Sequence, residues 1–68
     1  MKDWIKLDPI EVSRTYIYES GSQLTFMNIN RIKVSSSGTH YLETLDGRKY
    51  VIAPIWAAIE LVTPEWTF

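Results

Sequence analysis

Three groups of residues in this 68-residue chain could in principle do chemistry. Ser35-Ser36-Ser37 stand just ahead of the lone histidine, His40. A serine hydroxyl beside an imidazole is the starting point of nucleophilic catalysis. A serine-rich turn that feeds a strand, with the histidine as an edge residue, is the plainer reading. Glu43 and Glu60 could be imagined as paired carboxylates for acid–base work. A cross-strand partnership of Glu43 within its own hairpin accounts for that residue more simply. The third group is Arg31, Lys33, Arg48 and Lys49, interleaved with Tyr41 and Tyr50. Cations beside aromatic rings suit single-stranded nucleic acid, where bases stack and phosphates pair with the charges. Arg31 and Lys33 share one face of their strand. Alternating charges also make an ordinary solvated sheet face.

Other chemistries find no foothold. Gly21, Gly38 and Gly47 lie in three separate turns, so no glycine-rich phosphate loop is expected. The chain has no Cys and one His, which predicts neither a disulfide nor a thiolate or histidine metal site. No cofactor and no enzymatic activity are expected. The net charge is −1, with residues 1–34 at +1 and residues 35–68 at −2, short of the basic excess usual in proteins that live on phosphates. No apolar run reaches the roughly 18 residues of a membrane span. The N-terminal MKDWIKLDPIE has no signal-like apolar stretch. A cytoplasmic location fits these features.

The element that must position these residues is Thr39 to Ile52, which reads as a β-hairpin. Asp46-Gly47 is a favoured pair for a two-residue type I′ turn, in which both positions take positive φ. That turn sets Leu45 opposite Arg48, Glu43 opposite Tyr50 and Tyr41 opposite Ile52. Leu42, Thr44, Lys49 and Val51 then share the other face, so both faces mix apolar and polar groups. Upstream, Trp4 to Leu7 is a short strand that Asp8-Pro9 ends or bends. Ile10 to Glu19 alternates with period two, placing Ile10, Val12, Arg14, Tyr16 and Tyr18 on the inner face and Arg14 near the rim. Leu24 to Met27 and Arg31 to Val34 form two strand pieces joined at Asn28-Ile29-Asn30, or one bent strand. After Pro54, either a helical stripe of Ile55, Ala58, Ile59 and Val62 or one helical turn followed by a strand fits.

This order of elements carries three resemblances. Gly47 to Val62, GRKYVIAPIWAAIELV, resembles the end of an SH3-like small barrel, where a strand leads through one turn to a closing strand. Ile29 to Ile52, with Ile29, Ile32, Gly38, Tyr41, Asp46-Gly47 and Tyr50, is similar to the middle of a LytTR-type DNA-binding domain. Small flagellar FlbD-like proteins share a similar hairpin. No site residue carries over from any of the three.

The sequence thus predicts one all-β domain over residues 1–68. It is an SH3-like small barrel or a strongly curved antiparallel sheet of about five strands, with at most one helical turn near residues 54–58. A domain this small is marginally stable alone, and its three Trp, four Tyr and two Phe exceed what one small core readily hides. The first functional expectation is a non-enzymatic interaction or regulatory protein, docking on itself or on a larger partner, as inhibitors encoded by mobile elements do. Trp4, Tyr16, Tyr18, Trp66 and Phe68 are its candidate anchors. A homo-oligomer is expected, because an open sheet has edges that recruit other chains. The alternative is a nucleic-acid-binding module using Arg31, Lys33, Tyr41, Arg48 and Lys49.

Overall fold

Two asparagines set the shape of the longest part of the sheet. The structure, a computed structural model, describes residues 3–64. Five antiparallel strands form one sheet: β1 (Ile5–Ile17), β2 (Gln23–Val34), β3 (His40–Thr44), β4 (Lys49–Ile52) and β5 (Ala58–Val62), in the order β4-β3-β2-β1-β5. β2 runs unbroken, so the single bent strand is the form realised. Asn28 holds a left-handed φ of 55°, which asparagine tolerates better than most residues. The β2–β3 register shifts between Ile29 and Arg31, at Asn30. The inward side chains of β2 are therefore Phe26, Ile29 and Ile32, three apart instead of two. Each asparagine absorbs one residue and turns the strand over, which bends it.

β1 follows suit. It continues through the cis Asp8-Pro9 bond, with a register shift against β2 between Lys6 and Glu11. Opposite Asn28 it too turns over, so Glu11 and Arg14 both face inward while Val12 faces out. The expectation that Arg14 lies near a rim is corrected: it is 6% exposed. Strict alternation placed Glu11 on the other face, and the turnover at Val12 brings it inside with a counter-charge.

The hairpin stands where the sequence puts it, but its turn differs. Gly47 is the only residue of the loop with positive φ, at 87°. The Gly47 N–H donates to the Thr44 carbonyl at 3.0 Å, and the Thr44 N–H to the Arg48 carbonyl at 2.9 Å. This is the three-residue loop, a turn followed by a left-handed glycine, and not type I′. The Asp46 carboxylate accepts from the Thr44 hydroxyl and the Arg48 N–H, which stabilises the longer loop. The register moves by one: Glu43 faces Lys49, Leu42 faces Tyr50, Tyr41 faces Val51 and His40 faces Ile52. The faces are then clean. Leu42, Thr44 and Ile52 are buried, whereas Glu43, Lys49 and Val51 lie on the outer side.

The sheet curls around Tyr16, Ile29, Leu42 and Ile52, with Phe26, Ile32, Tyr50, Trp56 and Ile59 packed against them, so β1 to β4 supply the buried centre and β5 flanks it. Burying one such apolar side chain is worth about 1.5–3 kcal/mol, so four give a small core. Between β4 and β5 the chain forms no helical turn. The Ile55 N–H donates to Ala53 at 2.8 Å and the Ala57 N–H reaches the Ile17 carbonyl at 2.8 Å, delivering the chain to β1 as β5. No helix among the described residues is long and apolar enough to cross a membrane.

Candidate functional site

The concave face holds a closed polar network. Glu11 and Arg14 form a bidentate ion pair, Nε to Oε1 and Nη2 to Oε2, both at 2.8 Å, with side chains 7% exposed. The Tyr16 hydroxyl lies 2.8 Å from His40 Nδ1 and also receives Arg14 Nη1 at 3.4 Å. The donors converging on Nδ1 assign it as the acceptor, so the neutral ring carries its proton on Nε2. Burial disfavours the Arg14 charge, but hydrogen bonds with Glu11 and Tyr16 and the Glu11 charge outweigh it and raise its pKa. Burial pushes the Tyr16 hydroxyl up. Burial and then the Arg14 charge push His40 down, which keeps it neutral at pH 7. Trp56 closes over this network, 5.0 Å from the Tyr16 ring and 4.5 Å from the His40 ring.

The serine–histidine pair does not assemble. Ser35 and Ser37 hydroxyls bond each other at 2.8 Å, and Ser35 Oγ accepts from the Thr39 N–H. His40 Nδ1 is committed to Tyr16. Glu43 on β3 and Glu60 on β5 are separated by β2 and β1. Among the described residues no cluster of three or more potential ligands could hold a metal.

The convex face gathers what the sequence scatters. Cross-strand partners point to the same side of a sheet. Lys6 faces Arg31, Arg31 faces Glu43 and Glu43 faces Lys49, so these four form one row across β1, β2, β3 and β4. At a strand spacing of about 4.8 Å the row spans roughly 14 Å. The neighbouring row is Lys33, Tyr41 and Val51, with Trp4 at its β1 end. Lys33 Nζ sits 4.9 Å from the Trp4 ring and 5.3 Å from the Tyr41 ring, and the Arg31 guanidinium lies 5.2 Å over Trp4. Glu43 accepts from Arg31 Nε at 2.5 Å and stands 3.9 Å from Lys49 Nζ. The hydrogen bond from Arg31 holds the Glu43 carboxyl below its ordinary range, and the same bond raises Arg31. Four cations and one carboxylate thus surround two half-buried rings in a chain of net charge −1.

The predicted site residues divide accordingly. Arg31, Lys33, Tyr41 and Lys49 come together. Arg48 does not join them, being held at the hairpin tip 3.4 Å from Asp46. Of the anchors assigned to protein docking, Trp4 belongs to the convex patch, Tyr16 is fully buried and Tyr18 packs on the core. Trp66 and Phe68 lie outside the described residues. Sequence reasoning missed Lys6, whose place depends on the β1–β2 register. A separate groove of about 390 Å³ opens beside the Asn28 kink, lined by Phe26, Met27, Leu45 and Tyr50, with Met27 and Leu45 more than half exposed.

No family model matches the chain, and neither a curated protein nor a solved structure is significantly similar to it.

Proposed function

We propose that this protein is a small non-enzymatic binding module whose convex face takes single-stranded nucleic acid. The observation that carries this reading is the parallel pair of rows: Lys6, Arg31 and Lys49 beside Trp4, Lys33 and Tyr41. Phosphates pair with the first row while bases stack against the rings of the second. Duplex DNA hides the base faces that would stack on these rings, so the single strand is the form proposed. The test is a titration with labelled single- and double-stranded oligonucleotides at low and physiological salt. Contact with about three phosphates gives a slope of log affinity against log salt near −2 for a single strand. The Arg31→Ala, Lys33→Ala double variant loses that binding while keeping its circular dichroism spectrum. Absence of binding even at low salt rules the reading out.

A second reading, self-association, draws on the groove beside the Asn28 kink. Its Tyr50 wall belongs to β4, whose outer edge has no strand partner among the described residues. A second copy meeting β4 covers edge and groove together, using the same patch twice. Sedimentation equilibrium decides it: a dimer at micromolar concentration that Met27→Lys returns to monomer supports it, and a monomer throughout removes it.

A further inference from the structure

We infer that Glu43 occupies the seat of a backbone phosphate, so that a bound nucleic-acid strand must displace it from Arg31. This rests on the single-strand reading above. Glu43 sits between two cations of the row, bonded to Arg31 Nε and 3.9 Å from Lys49 Nζ. Its side chain is 13% exposed, against 38% for Arg31 and 63% for Lys49, so the carboxylate is sunk in the sheet while the cations reach past it. A carboxylate and a phosphate present the same kind of acceptor oxygens to a guanidinium. The row therefore has cations at β1, β2 and β4, with its own anion at β3. Among the described residues Lys33 has no carboxylate partner; it stands between the Trp4 and Tyr41 rings, in the row where bases stack.

The consequence is a site that weakens its own grip. When a phosphate arrives, the Arg31 hydrogen bond passes from Glu43 to the ligand, and the displaced carboxylate, now without its bond to Arg31, repels it. Glu43 is thus a specificity-determining residue. Weak or single phosphate contacts do not compensate for the lost pair, whereas a strand that engages Lys6, Arg31 and Lys49 together does. Isolated mononucleotides are discriminated against in favour of a strand of three or more residues.

The experiment compares wild-type protein with Glu43→Gln, which keeps shape and an acceptor but removes the charge. With a single-stranded oligonucleotide, Glu43→Gln binds about fivefold tighter at low salt, the scale of one like charge about 4 Å away in water. Its salt slope steepens by about 0.7, one further phosphate contact. In the wild-type protein, the Arg31 Nε–H resonance moves on adding the oligonucleotide, a readout that needs no variant. Wild-type binding with an unmoved Arg31 resonance, or with Glu43→Gln no tighter, overturns this inference and leaves the single-strand reading standing. No wild-type binding at any salt overturns that reading and this one with it.

Discussion

Two arginine–glutamate pairs stand among the described residues, one on each face of the sheet. Glu11–Arg14 lies on the concave face with both side chains 7% exposed, made bidentate and tied onward to Tyr16 and His40. Arg31–Glu43 lies on the convex face, with the arginine 38% exposed and bonded to the carboxylate through Nε. A buried pair gives up its water and depends wholly on its partners, so it is fixed. A pair whose arginine reaches solvent keeps part of its solvation and contributes less to stability. The same two residue types thus form a strut on one side and, in the binding proposed above, a replaceable contact on the other.

Breaking the strut gives the largest effect. Glu11→Ala leaves Arg14 buried without its counter-charge and costs about 3–5 kcal/mol, comparable with the whole stability of so small a domain. Urea denaturation measures it. Replacing both residues, Glu11→Leu with Arg14→Met, recovers much of the loss, because a well-packed apolar pair removes the stranded charge. A single substitution that leaves the transition midpoint unchanged contradicts the assignment of this network as structural.

Gly47→Val follows, at about 1 kcal/mol or more, because a β-branched residue resists a left-handed φ. An added Cβ there meets nothing within 4 Å, so the cost is conformational alone and Gly47→Asn is milder. At Gly38, with φ of 90°, an added Cβ also touches Pro54 at 3.4 Å, so Gly38→Val is the worse of the two glycine changes. Thermal melts of the three variants rank them.

A smaller effect follows from His40. Its pKa is lower in the folded protein, so between the folded and unfolded values the unfolded chain binds more protons. The His40 contribution is therefore intact above about pH 6.5 and lost as pH falls through the folded-state value. The melting temperature falls between pH 7 and pH 5, and His40→Gln flattens that decline. An unchanged slope in the variant assigns the decline to other groups.

The smallest expected change is on the convex face. Arg31→Ala with Lys33→Ala leaves the melting temperature nearly unchanged, as exposed pairs contribute little, although it abolishes the proposed binding. A loss comparable with Glu11→Ala makes the patch structural.

The sequence displayed much of this and hid particular parts. The all-β class, the hairpin and the irregularity at Asn28-Ile29-Asn30 were legible, because turn residues and period-two alternation are local signals. The turn type was not, since Asp-Gly suits both a type I′ turn and the longer loop, and the choice depends on how Asp46 bonds to Thr44 and Arg48. That single residue of register decided which hairpin side chains face the core. Strict alternation misplaces Arg14, because it hides a paired turnover in two adjacent strands. Arg31 and Lys33 were visibly on one face, but Trp4 and Lys6 reach them only through a pairing more than twenty residues away.

The most direct test of the division between the two faces is a chemical-shift map of the 68-residue protein during titration with a short single-stranded oligonucleotide at low salt. Shifts confined to Trp4, Lys6, Arg31, Lys33, Tyr41, Glu43 and Lys49, with Glu11, Arg14, Tyr16 and His40 unmoved, are the predicted result. Shifts centred on the network of Arg14 and His40 or on the groove of Met27 and Leu45, or no shifts at all, contradict it.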